Sequence, residues 1–183
     1  MKYFILTSIV TSFAGILTAA PLSLVIGDGS SIRDTRYTIN DKPPTNDLNR
    51  AAYYKAMESE SKTLVDAQIS ELNSAPANVK NAFLGAMIMR KAGIGGGPSA
   101  KLKLFKQGHK LLEDAIAKDP KNAEFRFLRL IIQENAPGIL GYKSDEQKDS
   151  ELIRKSYKSL PEDLQKTIAD YNKKSKVLKL QVS

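Results

Sequence analysis

Residues 111 to 130 read LLEDAIAKDPKNAEFRFLRL, and no other stretch constrains the fold as much. One apolar helical pattern ends there. A tight turn follows at Asp119-Pro120-Lys121-Asn122, where proline cannot continue a helix, and a second helix begins at once. Two helices joined so closely must fold back on each other. The stretch is therefore the joint of a stacked helical-hairpin protein, and the expected class is all-α, with about 5–6 helices in one domain.

Apart from its amino-terminal stretch, the 183-residue chain fits one domain, large enough to bury a core without covalent staples. It has no cysteine, which excludes a disulfide framework, a thiol nucleophile, a Cys-ligated zinc and a lipidated cysteine at an export junction. With His109 the only histidine, a zinc site would need at least two carboxylate or solvent ligands. No metal and no cofactor is expected.

The net charge of +8 is unevenly spread. Residues 28 to 77 carry six bases and eight acids, whereas residues 78 to 118 carry eight bases and two acids. Lys173, Lys174, Lys176 and Lys179 add a basic end. Phosphate or anionic headgroups are the partners such charge would suit. Solvated lysines on outer helix faces are the plainer explanation, because aromatic residues are not interleaved with them as a nucleic-acid stacking platform requires.

Met1-Lys2 precedes the apolar run YFILTSIVTSFAGILTAAPLSLVIG, and Asp28 follows it. Residues 1–27 read as an export signal. Thr18-Ala19-Ala20 suits signal peptidase except for Pro21 directly after it, and Val25-Ile26-Gly27 offers a second small-residue site. Left uncleaved, Tyr3 to Ile26 is long enough to anchor the chain in a bilayer. Either way the folded part is expected outside the cytoplasm, periplasmic or secreted. Residues 28–46, rich in Asp, Ser, Thr and Pro, read as a linker to a helical domain over 47–176, with a frayed or extended tail over 177–183.

Within the domain, Asn46 or Thr45 is the expected cap of one long helix to Leu72, or of two helices joined near Ser59-Glu60-Ser61. The next segment is apolar on nearly every face through Val79, Ala82, Phe83, Leu84, Ala86, Met87, Ile88 and Met89, which predicts a central helix. Gly93 to Ser99 is expected to be a flexible loop. It lacks the Lys-Ser/Thr pair of a phosphate-binding loop and follows a helix rather than a strand. An amphipathic helix to Lys118 carries His109 and Glu113 four residues apart, a spacing that suits a surface ion pair. Beyond the joint, helices are expected over about 145–159 and from Pro161 to about Ser175, the latter with acids in its first turn.

Leu112, Ala115 and Pro120 followed by Asn122-Ala123-Glu124, with Gly108 where a small residue belongs, resemble the end of a tetratricopeptide repeat; Leu84-Gly85 with Ile88 resembles its first helix. The resemblance implies a tetratricopeptide-like stack that binds peptides or partner proteins on a concave face. It departs at the long Gly93–Ser99 loop and at Arg126, Arg129 and Gln133, which stand where the next repeat wants Trp, Leu and Tyr. The segment FRFLRLIIQENAPGILGY also resembles a group of uncharacterised exported bacterial all-helical proteins, which implies export and helices but no activity.

At about 100° per residue, Arg126, Arg129 and Gln133 share a polar stripe roughly 60° wide on an otherwise apolar helix. Two arginines and a glutamine form a fork for a carboxylate or phosphate, with Glu134, Asn135 and Tyr142 along its rim. Alternatively the arginines tie hairpins together through acids such as Glu113, Glu151 or Asp163. The expected function is that of an exported, non-enzymatic scaffold for a protein or peptide partner. The alternatives are an envelope enzyme using Glu134, His109 or Tyr142, or an electrostatic binder of anionic lipid or nucleic acid. Membrane attachment is otherwise expected only through an uncleaved amino-terminal segment.

Overall fold

The structure, a computed structural model, describes residues 48 to 181. The expected signal, linker and Thr45/Asn46 cap lie outside the described residues, as does the side chain of Val79. The described residues form seven α-helices and no strand: α1 (Arg50–Glu58), α2 (Lys62–Asn73), α3 (Ala77–Ile94), α4 (Pro98–Lys118), α5 (Ala123–Asn135), α6 (Glu146–Ser156) and α7 (Glu162–Asn172). Gly138–Leu140 and Tyr157–Ser159 are single 3₁₀ turns.

The helix count exceeds the expected five to six because the first helical stretch is broken. Ser59 is extended, its Oγ accepts from the Ser61 amide at 2.8 Å, and Ser61 in turn accepts from the Leu64 amide at 3.4 Å to cap α2. Serine side chains thus offer the backbone a turn in place of continued helix. Asn49 caps α1, accepting from the Ala52 amide at 3.0 Å.

The glycine-rich loop is shorter than expected. Gly93 and Ile94 complete α3, and Pro98 occupies the first turn of α4, where its missing N–H costs nothing, so only Gly95 to Gly97 remain. Gly96 needs to be glycine at φ +97°. Across this turn α3 and α4 run antiparallel with their backbones touching. A Cβ on Gly85 would lie 2.7 Å from both the Gly108 carbonyl oxygen and the Leu112 amide; one on Gly108 would collide with the Gly85 carbonyl oxygen. Two glycines thus let two helices approach closer than side chains allow.

At the 119–122 joint, Asn122 accepts from the Glu124 and Phe125 amides, both at 3.1 Å, and so starts α5. Arg126 and Arg129 both pair with Asp149, which ties α6 to α5. α1 reaches α3, α5 and α7. The Tyr53 hydroxyl donates to the Phe83 carbonyl at 2.8 Å, Tyr54 donates to Glu124 at 3.2 Å, and Arg50 bonds Glu124 at 2.8 Å and Asp163 at 3.4 Å. Tyr53, Met87, Leu112, Phe127, Ile153 and Ile168 make one continuous core with no exposed surface of note.

Of the tail expected to be frayed or extended, residues 177 to 181 are non-helical and packed against the domain. Leu178 is fully buried, Arg154 donates to its carbonyl at 2.8 Å, and Asn172 brackets Leu180 with bonds of 2.9 and 2.7 Å. One buried leucine removes enough apolar surface to hold the segment, by about 1.5–3 kcal/mol.

Candidate functional site

The polar stripe on α5 faces inward. Arg129 lays its Nε and Nη2 on the two oxygens of Asp149, each at 2.7 Å, and reaches Glu113 of α4 with Nη1 at 2.7 Å. Arg126 bonds the same Asp149 at 3.2 Å and turns its other nitrogens to the Pro120 carbonyl at 2.9 and 3.2 Å. Asp149 has no exposed surface, and the two arginines are 6% and 4% exposed. The acids that meet them are thus Glu113 and Asp149, with Asp145 at 3.6 Å from Arg129; Glu151 is exposed, and Asp163 instead serves Arg50. Burial opposes the Arg129 charge, but the bonds to Asp149 outweigh it and hold the guanidinium above its ordinary value.

Tyr142 belongs to the same cluster. It donates to Glu113 at 2.6 Å, and burial followed by that bond pushes its hydroxyl well above the ordinary value. Glu113 is therefore shared between Arg129 and Tyr142 rather than paired with His109, whose ring meets Tyr142 edge to face at 4.8 Å. Gln133 is fully buried, and neither its amide nitrogen nor its oxygen has a hydrogen-bond partner among the described residues.

The other two expected site residues, Glu134 and Asn135, stand on a different surface. A cleft of about 410 Å³ opens between α1, α5 and α7 and the segment after α7. Phe127, Ile131 and Ile132 of α5 line it, with Tyr54 and Met57 of α1 and Tyr171 of α7. Its rim alternates in charge: Glu58 pairs with Lys174 at 2.7 Å, and Glu60 pairs with Arg90 at 2.7 Å. Glu134 accepts from the Ser175 hydroxyl and the Lys176 amide, both at 2.7 Å. Asn135 donates back to the Ile131 carbonyl at 2.7 Å. Burial, and then the Glu134 charge, raise the Tyr171 hydroxyl above its ordinary value, so it enters the cleft as a neutral donor at physiological pH.

A second cavity, of about 420 Å³, lies on the far side of Arg90, Ile132 and Asn135, which wall both. Met89, Leu102, Phe105, Pro137, Ile139 and Leu140 make it apolar, and among the described residues Lys101 and Arg90 are its only charged lining. Arg126, Arg129, Gln133 and Tyr142 wall neither cavity. Sequence reasoning missed Tyr54, Arg90 and Tyr171. They come from three separate helices and share no motif, so no sequence signal marked them.

Among the described residues no His/Asp/Glu group is arranged to hold a metal ion, and no helix is long and apolar enough to cross a membrane. No family profile, curated protein or solved structure matches the chain.

Proposed function

We propose that this is an exported, non-enzymatic scaffold of stacked helical hairpins, similar in plan to tetratricopeptide proteins, that binds a peptide segment of a partner in the cell envelope. The α1–α5–α7 cleft is the binding surface. The observation that carries this is the composition of its wall: an apolar floor from α5, a neutral phenol at Tyr171, and three carboxylates balanced by Arg90, Lys174 and Lys176. Such a wall offers apolar contact and scattered donors and acceptors, which suits a polypeptide better than a polyanion or a purely apolar ligand. The hairpin plan is supported by the antiparallel α3–α4 pair, by the ion pairs that tie α6 to α5, and by odd-numbered helices meeting at the cleft.

A binding role is favoured over an enzymatic one because the cleft's carboxylates are already engaged. Glu58 and Glu60 are in ion pairs and Glu134 holds the chain after α7, so none is placed as a free general base. Of the alternative catalytic trio, His109 and Tyr142 sit together on α4's side while Glu134 points into the cleft.

Thr167 lines the cleft and is half-buried, so Thr167→Trp fills the cleft from its edge without entering the core. Peptides selected from a random library on the wild-type chain should bind with micromolar affinity in fluorescence anisotropy, and Thr167→Trp should weaken them at least about tenfold, the loss of roughly 1.4 kcal/mol. Selected peptides that bind the variant equally well would remove the cleft from consideration.

A further inference from the structure

Among the described residues, the exposed large apolar side chains are Leu64, Leu102 and Ile139, and two of the three stand together at the mouth of the second cavity. Ile139 is 95% exposed. It tips the Gly138–Leu140 turn, which Pro137 enters at φ −56° and Gly141 leaves at φ +62°, so the backbone on both sides is restricted and the side chain is held outward. Beneath it α4 presents Pro98, Lys101, Leu102 and Phe105, positions that fall on one helical face. At about 100° per residue, Lys101 and Lys106 flank the Leu102–Phe105 ridge on its two sides.

The charged residues lining this cavity, Arg90 and Lys101, are of one sign. Residues 72 to 112 contain seven lysines and arginines and no acid. Lys91 and Arg90 are engaged by Asp66 and Glu60, whereas Lys101, Lys103 and Lys106 are exposed and make no ion pair among the described residues. The first cleft is the opposite case, with its bases and acids matched. Protruding isoleucine and leucine inside a fringe of unmatched lysines form the pattern of an interfacial membrane contact: the apolar points enter the headgroup boundary and the ammonium groups meet phosphate. Lysines, as flexible and strongly hydrated point charges, suit fluid headgroups better than a fixed bidentate partner.

We propose that this face docks the protein on a bilayer surface rich in anionic phospholipid, with Ile139 and Leu102 entering the interface and Lys101 and Lys106 lying over phosphates. The contact is separate from the peptide cleft and does not depend on it. It is also peripheral, and distinct from any anchoring by residues 3–26.

The chain contains no tryptophan, so Ile139→Trp places a unique fluorophore at the tip while keeping it apolar. The full-length chain would be mixed with phosphatidylcholine vesicles, with or without phosphatidylglycerol as a third of the lipid. Ile139→Trp emission should shift to the blue and be quenched by brominated lipid only with the anionic vesicles. Lys158→Trp, on the exposed turn after α6, should do neither, which separates docking by this face from tethering by another segment. Neutralising Lys101→Gln and Lys106→Gln should each weaken the transition about fivefold, and added salt should weaken it further. No shift at position 139 with anionic vesicles, equal shifts at both positions, or indifference to the lysine changes would each overturn the proposal.

Discussion

Asp149→Asn tests whether the α5 arginines form a structural lock. The carboxylate is fully buried and accepts two bonds of 2.7 Å from Arg129 and one of 3.2 Å from Arg126. The amide keeps its shape but removes the charge and turns an N–H toward two guanidinium groups. Breaking a buried ion pair by removing one partner costs about 3–5 kcal/mol, because the other charge stays behind. Arg129 keeps Glu113 at 2.7 Å and Arg126 keeps the Pro120 carbonyl at 2.9 Å, which places the loss at the lower end, about 3 kcal/mol. In equilibrium urea unfolding followed by circular dichroism, with a slope of about 2 kcal/mol per molar, the midpoint should fall by roughly 1.5 M at unchanged slope. In an Arg129→Met background the same substitution should cost about 2 kcal/mol less, because the closer of its two partner charges is already gone and only Arg126 remains. A loss below about 1 kcal/mol in the wild type, or strict additivity in the double variant, would refute the lock and return the arginines to the list of ligand-binding groups.

Gly108→Ala drives a methyl into the Gly85 carbonyl and to within 2.9 Å of the Met89 amide, and should destabilise by about 2–3 kcal/mol in the same urea assay; a loss under about 0.5 kcal/mol would mean that the α3–α4 contact yields. Gln133→Met replaces a buried amide without partners by an apolar side chain of similar size and should raise stability by about 1 kcal/mol, whereas a loss would mean that the amide is held in hydrogen bonds. The hydroxyls of Tyr53, Tyr54, Tyr142 and Tyr171 are all raised above the ordinary value of 10.0, with burial the first cause in each. Raised groups hold their protons in the folded state, so stability is fully present below the unfolded value of about 10 and falls as pH rises beyond it. Phenolate absorbance should therefore appear for these four in one steep step together with loss of helical ellipticity above pH 10; smooth ionisation of all tyrosines before unfolding would contradict their burial.

Much of the helical layout was legible because its determinants are local. Pro120 ends α4 through its own ring, Pro98 and Pro161 set helix starts, and the apolar run through Phe83, Leu84 and Met87 marks a central helix wherever it packs. The break was local as well: of the two readings left open, one long helix or two joined near Ser59-Glu60-Ser61, the structure takes the second, and Asn49 caps α1 within the described residues. Leu178 was less legible, since a short segment after a helix carries no period and is ordered only by the surface that receives it.

The candidate site depended on contacts that no local pattern encodes. Periodicity placed Arg126, Arg129 and Gln133 on one face, and that face exists, but whether it meets solvent or a neighbour depends on where α6 lies. Asp149, twenty residues from Arg129 and unremarkable in sequence, turned the stripe inward. Glu134 and Asn135, read as its rim, came to a cleft whose other walls are Tyr54, Arg90 and Tyr171. The sequence by itself determined the helices, their turns and the one-signed charge between residues 72 and 112. Only the tertiary structure decided which charges are neutralised by partners and which remain at the surface, because an ion pair joins side chains brought together by packing rather than by their spacing along the chain.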